Sequence, residues 1–428
     1  MTRERRNETK LLVLGSMLFA LAFSYPLLGH LSTAGLAWDW MPNMQMAWAA
    51  RNSVVHLHQF PMWQPWVCGG YPIFAHPESR IVTPFFLLHL AFGPAVGMHL
   101  EIISHLAIGF AGAYFLARTL EISPIGAVAC AGTFMGSSWY YLHLGVGHVM
   151  FLGYAYAPWI LALFLLDYAV LPALLLALVL YEGGVVYALP HTLLLLGVPA
   201  IILAAERRSF RPVLVLGEIV ALTLVFSAPK LIAMFVTLRG FDRPWAWSEV
   251  NPLPLMVKLL FSTNQRITRT PAITMWNYCE YGAYISPIFA IFALVGTVTN
   301  LRRALPWLIL TVLLFILAMG DIGDYSPWVL LHSLPFGRDW RLPSRFLIML
   351  TLCVGVLAGF GVDQLRDHKQ IAVVLVIAAV FNCWLVSPPN LLQALEWPTP
   401  QSTLTPASFS LQDHNGFIPC DAVRRTAR

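Results

Sequence analysis

Long apolar runs without Asp, Glu, Lys or Arg recur along this chain and restrict its fold more than any other feature. The first, from Leu11 to Leu31, holds about 21 residues, enough for a helix to cross a bilayer. Only 11% of the 428 residues are charged, less than half of the roughly 25% found in soluble domains. The sequence therefore predicts an all-α polytopic membrane protein. It excludes a soluble enzyme, a disordered chain and a nucleic-acid binder.

The apolar runs and the basic residues between them predict about eleven transmembrane helices, with the N-terminus cytoplasmic and the C-terminus outside. The segment Arg3 to Arg6 resembles the start of a signal peptide, but the run that follows is too long for one and is interpreted as a retained helix. Residues 1–387 form the predicted transmembrane domain, and residues 388–428 an extracytoplasmic tail. The predicted helices cover roughly 11–31, 96–118, 122–141, 149–167, 169–182, 186–205, 212–238, 283–300, 304–320, 344–362 and 370–387.

Three long segments, 32–95, 239–282 and 321–343, fall on the outer side in this topology. Within the first, residues 41–58 are predicted as an amphipathic helix on the membrane surface. Residues 81–95 are predicted as a short apolar hairpin or interfacial helix interrupted by prolines. Loops held by a rigid scaffold commonly carry binding and catalytic residues, so we expect the function on the outer face.

Asp39 lies between two tryptophans, about eight residues beyond the first predicted helix. A carboxylate among aromatic rings at a membrane interface can act as a general base on an acceptor hydroxyl. Alone, the same residue is equally explained as an acid that ends one helix or caps the next. Asp39 is the candidate catalytic residue, and both interpretations stay open at this point.

The stretch from Phe60 to Pro72 is dense in proline, glycine and aromatic residues. Such a stretch forms a rigid non-helical loop that suits the wall of a groove for a ring-shaped substrate. An aromatic belt at the membrane interface is the alternative, and it explains the aromatic residues but not the paired prolines and glycines. The candidate groove residues in this stretch and just beyond it are Trp63, Gln64, Trp66, Tyr71, His76, Glu78 and Arg80.

Three arginines, Arg338, Arg341 and Arg345, lie where an outer segment re-enters the bilayer. Arginine at such a place is costly unless it meets a phosphate, a carboxylate or a lipid headgroup, and its planar fork suits a phosphate. Snorkelling to ordinary lipid phosphates is the alternative. Glu280 and His148, both predicted to face the outer side, complete the candidate groove.

The cysteines and histidines form no pattern typical of a protein-built metal site, and no metal ligand is assigned. Histidines predicted on the outer side, such as His143 and His148, could bind a metal, so a divalent cation is an open alternative as a cofactor. Cys68 and Cys279 both lie in predicted outer segments, where a disulfide is an open alternative. A P-loop is absent from the sequence, which argues against ATP-driven transport by this chain.

Four patterns in chain order carry a resemblance to a known family: an acid, Asp39, soon after the first helix; the PxWxPxxxGGxP stretch at 61–72; EYGAYI at 280–285; and RLPSRF at 341–346. Together they resemble the GT-C superfamily of polyprenyl-phosphate-dependent membrane glycosyltransferases, and YfhO-type bacterial membrane proteins in particular. The resemblance is scattered over residues 11–387.

The resemblance implies an inverting transfer of a hexose from a polyprenyl-phosphate-linked donor to an extracytoplasmic glycan, lipid or polymer. Asp39 would be the base, and Arg341 and Arg345, with Arg338 beside them, candidate ligands of the donor phosphate. It also implies the plasma (inner) membrane of a bacterium and a role in the cell envelope. The chain departs from the pattern because Asp39 stands alone where some relatives carry an acidic pair, which weakens the case for a bound metal.

Two other functions fit parts of the sequence. A lipid-linked sugar flippase or secondary transporter predicts inverted repeats and midplane charges. Glu182, Glu218 and Lys230 lie in or at the edges of apolar spans, but no repeat is visible. A non-catalytic protein that binds or assembles lipid-linked glycans would share most pocket residues with an enzyme. Such a binder should tolerate Asp39→Asn, whereas a transferase should not.

Overall fold

The computed structural model describes residues 3–33, 38–67, 69–239, 249–267, 269–271, 274, 276–334, 337 and 340–391. Regular structure in these ranges is almost entirely helical, with one short hairpin. Cys68, Arg338 and the tail from residue 392 lie outside the described residues. The alternative of a Cys68–Cys279 disulfide therefore stays open, and the role of Arg338 and most of the tail stay predictions.

The first half of the described chain runs from a long N-terminal helix through an irregular segment into a helical bundle. The helices are α1 (Arg3–Phe23), α2 (Tyr25–Leu28), α3 (Trp40–Val55), α4 (Phe86–Phe92), α5 (Pro94–Thr119), α6 (Pro124–Gly136), α7 (Ser138–Gly145), α8 (Ala157–Leu165) and α9 (Val170–Tyr181). Strands β1 (Trp63–Gln64) and β2 (Tyr71–Pro72) pair antiparallel, and a 3₁₀ segment covers Val149–Tyr156.

The second half alternates long helices with short ones. The helices are α10 (Ala188–Arg207), α11 (Arg211–Leu238), α12 (Leu253–Phe261), α13 (Tyr278–Tyr281), α14 (Pro287–Thr299), α15 (Leu301–Met319), α16 (Pro327–His332), α17 (Leu347–Val362) and α18 (Lys369–Val386). Two further 3₁₀ segments cover Pro343–Phe346 and Asp363–His368.

Five helical stretches are long and apolar enough to cross a membrane. They are α5, α10, α11, α15 and the continuous stretch Pro343–Leu391, which contains α17 and α18. On α11, large apolar side chains such as Phe235 and Val225 are mostly exposed, at 73% and 66%. Exposed side chains of this kind suit lipid rather than water. The prediction of an all-α chain with membrane-spanning helices is confirmed at this level.

Most predicted helices match observed ones within a few residues. The helix predicted at 149–167 is a 3₁₀ segment over Val149–Tyr156 and an α-helix only over Ala157–Leu165, and two others also differ in an informative way. The first helix, predicted at 11–31, begins earlier, at Arg3, and ends at Phe23. The helix is interrupted before Pro26, whose ring and missing N–H oppose its continuation. The run predicted at 122–141 is divided between α6 and α7. Ser137 separates them because its hydroxyl accepts a hydrogen bond from Trp139 N and caps α7.

The centre of the bundle is α17, which is buried on almost every side and packs against α14 and α6. Small residues allow this approach. A Cβ on Gly361 would lie 1.9 Å from the carbonyl oxygen of Phe292, and one on Gly296 would lie 2.2 Å from that of Leu357. Close contact of helix backbones through glycine is typical of packing in membranes.

The segment between α1 and α5 forms a second, smaller layer on the bundle. The segment predicted at 41–58 contains helix α3, and the segment 81–95, predicted as a hairpin or an interfacial helix, contains the short helix α4 between Pro84 and Pro94. Their position on a membrane surface stays a prediction. Their contacts form a small apolar core of their own, made of Ala49, Ala50, Ile73, Ile81 and Phe86.

Candidate functional site

Asp39 is held at the start of α3 by the turn that follows α7. Its backbone N–H donates to the carbonyl oxygen of Val146 at 3.0 Å. The indole N–H of Trp40 donates to the carbonyl oxygen of Gly145 at 3.1 Å, and Trp40 is almost fully buried. These bonds join segments that are far apart in sequence, so the position of the Asp39 carboxylate depends on the α7 turn.

Gly147 makes this approach possible. It has φ of +91°, and a Cβ at this residue would lie 2.2 Å from the backbone nitrogen of Trp40. Only glycine fits both the backbone conformation and the space. The side-chain amide of Asn43 donates to the carbonyl oxygens of Gly147 and Asp39, at 3.1 and 2.7 Å, and thereby ties the two backbones together.

Two histidines continue from Asp39 into the protein. Nε2 of His148 lies 3.1 Å from Oδ2 of Asp39, and Nδ1 of His148 lies 2.8 Å from Nδ1 of His143. When His148 donates its Nε2 proton to Asp39 in the neutral state, His143 must supply the proton between the two facing Nδ1 atoms. The geometry thus links the Asp39 carboxylate and the two imidazoles in a continuous series of hydrogen bonds.

Glu280 and Arg345 form a buried ion pair beside these histidines. Nε and Nη2 of Arg345 donate to the Glu280 carboxylate at 2.9 to 3.1 Å, and Arg345 is only 2% exposed. The guanidinium also lies over the rings of Phe151 and Tyr187, 5.1 and 4.4 Å from their centroids. The hydroxyl of Ser344 donates to the Glu280 carbonyl oxygen at 2.8 Å. These contacts leave the guanidinium little freedom to turn towards another anion.

The series from Asp39 to the histidines meets the Glu280–Arg345 ion pair at His148, whose Nε2 lies 3.9 Å from Oε1 of Glu280. Nδ1 of His143 lies 4.0 Å from Oε2 of the same carboxylate. We call Asp39, His143, His148, Glu280 and Arg345 the Asp39 cluster. The Asp39 side chain is 24% exposed and the others are nearly buried, so Asp39 is the member most accessible from outside.

Electrostatics keep both carboxyl groups ionised. Burial raises the pKa of Asp39, but the hydrogen bond and charge of His148 and the charges of Arg345 and Arg341 lower it below its usual value. Burial also raises the pKa of Glu280, and the charge of Arg345 outweighs it and lowers the pKa to about 2. Two buried or half-buried acids are therefore held in the anionic form.

Four residues of the predicted site, Asp39, His148, Glu280 and Arg345, come together in this cluster. Arg341 is half-buried, and its charge acts on Asp39. The placement of Arg345 differs from its predicted contact with a donor phosphate, because the guanidinium binds Glu280 instead. His143 is not among the site residues predicted from the sequence, although the HLGVGH spacing, with glycines between two histidines, indicates a turn that could bring the rings together.

The predicted groove residues of the Pro- and Gly-rich stretch lie in the small layer. Trp63 and Gln64 pair with the strand that contains Tyr71. Trp63 is about half exposed, at 47%, whereas Gln64 is buried. Trp66 contacts Trp48 of α3 edge to face, with ring centroids 5.1 Å apart. This stretch thus presents the exposed indole of Trp63 and packs the indole of Trp66 against α3.

Arg80 belongs to a second buried polar group. Its Nη2 donates to Oε2 of Glu101 at 2.5 Å, and Nε2 of His89 lies 2.9 Å from the same oxygen. We call Arg80, His89 and Glu101 the Arg80 network. A cavity of about 30 Å³ lies beside the Arg80 network, and Glu78 lines it together with Arg80. The carbonyl oxygen of Ser79 accepts a hydrogen bond from Lys230, which anchors this loop on α11.

His76, the remaining groove residue, is buried, and its ring lies 5.7 Å from that of Tyr71. Burial and the nearby positive charge of Lys230 lower the pKa of His76 to about 3, so its ring is neutral.

The Asp39 cluster also offers the one group in the described residues whose side chains suit a metal ion: His143, His148 and Glu280. Their ligand atoms all lie within 4.8 Å of one another.

Compared with models of protein families, with curated proteins and with solved structures, the chain matches none.

Proposed function

We propose that this chain is an integral-membrane glycosyltransferase that moves a hexose from a polyprenyl-phosphate-linked donor to an extracytoplasmic glycan, lipid or polymer. One observation carries the proposal: an accessible carboxylate, Asp39, is fixed against His148 by segments from distant parts of the chain, and the positive charges of Arg341 and Arg345 act on it. An acid held in this way is what proton removal from a hydroxyl requires.

The proposed topology has about eleven spans, with the N-terminus in the cytoplasm of a bacterial cell. Five helical stretches are long and apolar enough to span, and the remaining spans are assigned to shorter helices and to α1. In this arrangement α3, α13 and the 3₁₀ segment Pro343–Phe346 lie on the outer side. A polyprenyl phosphate confined to the bilayer presents its sugar at this interface.

In the proposed reaction, an acceptor hydroxyl attacks the anomeric carbon from the face opposite the phosphate. A new carbon–oxygen bond forms, the bond from the anomeric carbon to the phosphate oxygen breaks, and the hydroxyl proton passes to Asp39. The leaving lipid phosphate takes the bonding electron pair, and Arg341 stabilises its charge. Arg345 acts by holding Glu280 and adds its positive charge to the site. The lipid phosphate is itself the leaving group, so the reaction needs neither nucleotide nor ATP.

Transfer of radiolabelled hexose from polyprenyl-phosphate donors in membranes tests this proposal. We expect transfer by the wild type and a loss of at least about a hundredfold, or about 2.7 kcal/mol of barrier, in Asp39→Asn. Asp324→Asn, which changes an exposed acid, serves as the matched control and should retain activity. Equal transfer by Asp39→Asn and the wild type would remove Asp39 from the proposed mechanism.

A second candidate function, flipping of a lipid-linked sugar, is favoured by charges inside the bundle. Nε2 of His105 lies 2.9 Å from Oε2 of Glu182, and the Tyr156 hydroxyl donates to the same carboxylate at 2.8 Å. The side chains of His105 and Glu182 are both fully buried. His105 lies about 16 Å along α5 from Pro94, near the middle of a bilayer core about 30 Å thick.

Proteoliposomes that contain a fluorescent polyprenyl-phosphate sugar separate the two functions. A flippase moves the lipid between leaflets without changing it, and Glu182→Gln should stop this movement while Asp39→Asn does not. For a transferase, Asp39→Asn should abolish sugar transfer and Glu182→Gln should leave it intact. Donor binding without transfer or movement would instead indicate a binding or assembly protein.

A further inference from the structure

We propose that His143, His148 and Glu280 bind a divalent transition-metal ion of the zinc class. Two imidazole nitrogens and one carboxylate are a common ligand set for zinc sites that keep an open position. This assignment goes beyond the proposed function and does not rest on it, because the ligand geometry stands whether or not the chain transfers sugar.

The spacing of the ligand atoms supports a shared ion. At zinc–ligand distances of about 2.0–2.1 Å, the ligands of a tetrahedral site lie roughly 3.3 Å apart. The Nδ1 atoms of His143 and His148 are 2.8 Å apart, and Oε2 of Glu280 is 4.0 Å from Nδ1 of His143. These values lie on either side of the tetrahedral spacing, so shifts of about 0.5–0.7 Å bring the atoms of each pair to the separation that a shared ion requires.

The surroundings orient these ligands as they do in known metal sites. Metal-binding histidines usually donate the remaining ring N–H to a carboxylate. With Nδ1 of His148 on the ion, its Nε2 faces Asp39 at 3.1 Å, which is that arrangement. Arg345 holds the Glu280 carboxylate by a bidentate contact, and a backbone hydrogen bond of 3.0 Å joins the N–H of His148 to the carbonyl oxygen of His143.

The ligand chemistry selects the class of ion. Imidazole suits zinc, copper, nickel and iron, whereas magnesium and calcium prefer oxygen ligands throughout. The described residues contribute no cysteine to the cluster, which argues against a structural four-thiolate site. With three protein ligands, a fourth position is left for water or for an oxygen of a bound substrate.

Metal content of the full-length, untagged protein in detergent tests the site. The purified protein is stripped with a chelator, incubated with Zn²⁺, dialysed and analysed by mass spectrometry of the metal. We expect about one tightly held zinc per chain. The His143→Ala/His148→Ala variant should lose it, and Glu280→Gln should bind it at least tenfold more weakly.

A His56→Ala/His58→Ala variant controls for adventitious binding, because these outer histidines also have a spacing that could hold an ion and lie outside the cluster. It should keep the zinc. Loading the wild-type protein with Co²⁺ gives a readout that does not depend on the folding of any variant: visible absorption bands of tetrahedral cobalt should appear and should be displaced by Zn²⁺.

The outcomes are separate from those of the transfer assay. Less than about a tenth of an equivalent of zinc in the wild type, together with no cobalt bands, would overturn the site. Zinc that is lost only from the His56/His58 variant would also overturn it. Zinc bound at the cluster in a protein that transfers no sugar would support the site and count against the proposed function alone.

Discussion

Gly147 packs its Cα against the backbone of Trp40 so closely that a methyl group there would lie 2.2 Å from the Trp40 nitrogen. This contact aligns the turn after α7 with the residue next to Asp39. A glycine in one loop therefore determines where a carboxylate in another loop stands.

We expect Gly147→Ala to lower the rate of sugar transfer at least about tenfold, because it must move Asp39 away from His148. The added methyl also forces an alanine into a positive φ, which costs about 1 kcal/mol or more. Gly217→Ala is the matched control: this helical glycine of α11 has open space within 4 Å. Rates are compared at equal amounts of folded protein, and equal rates in both variants would contradict the proposed role of the turn.

We expect Arg345→Met to destabilise the folded protein by about 3–5 kcal/mol, because it leaves the ionised Glu280 buried without its partner. The double variant Arg345→Met/Glu280→Gln should recover a large part of this loss, since no buried charge is left unpaired. Unfolding by increasing SDS fraction in mixed micelles measures both. A double variant less stable than either single variant would show that the pair itself supplies net stability.

Gly70→Ala tests whether the hairpin forms a wall of the substrate groove. A Cβ on Gly70 would lie 2.4 Å from the indole nitrogen of Trp63, so the exposed ring must move. We expect KM for the donor sugar to rise about tenfold while kcat changes little, as is typical of lost substrate binding. Gly69→Ala is a close control, because Gly69 shares a positive φ but has open space around its Cβ position. A change in kcat alone would argue against a groove wall.

The long helices could be predicted well because long apolar runs without charged residues favour helices of membrane-spanning length. The run predicted at 212–238 is observed as Arg211–Leu238. The division of 122–141 into two helices could not be predicted, since Ser137 and Ser138 sit in an otherwise apolar run and act through individual hydrogen bonds: Ser137 caps α7, and the hydroxyl of Ser138 accepts from the backbone N–H of Tyr284, far away in sequence. A hydropathy pattern averages over such contacts.

The site could be predicted in part. Asp39, Glu280 and Arg345 stand out in sequence because charged residues are rare in this chain. Their pairing could not be predicted, because a bidentate contact between Arg345 and Glu280 depends on the packing of α13 against the segment before α17. Glu101 was hidden for a related reason: it lies inside a predicted span, and its partner Arg80 lies in a loop.

Two glutamates that pair with arginines in different surroundings give the last prediction. Glu101 and Arg80 are 1% and 9% exposed, whereas Glu8 and Arg118 are 35% and 33% exposed. A buried charge that loses its partner keeps the full penalty of desolvation, while water replaces the partner of an exposed charge. We therefore expect Glu101→Gln to destabilise the protein by about 3–5 kcal/mol and Glu8→Gln by less than about 1 kcal/mol.

Both glutamate variants can be unfolded in the same mixed micelles at low and high salt. Salt should reduce the small effect of Glu8→Gln and leave the effect of Glu101→Gln almost unchanged, because mobile ions do not reach a buried pair. Glu101 also holds His89, so its loss removes one contact from α4 and one, that of Arg80, from the loop that Lys230 anchors on α11. Equal and salt-sensitive losses in both variants would mean that water reaches the Arg80 network, and the network would then be an accessible polar site rather than a buried support of the smaller layer.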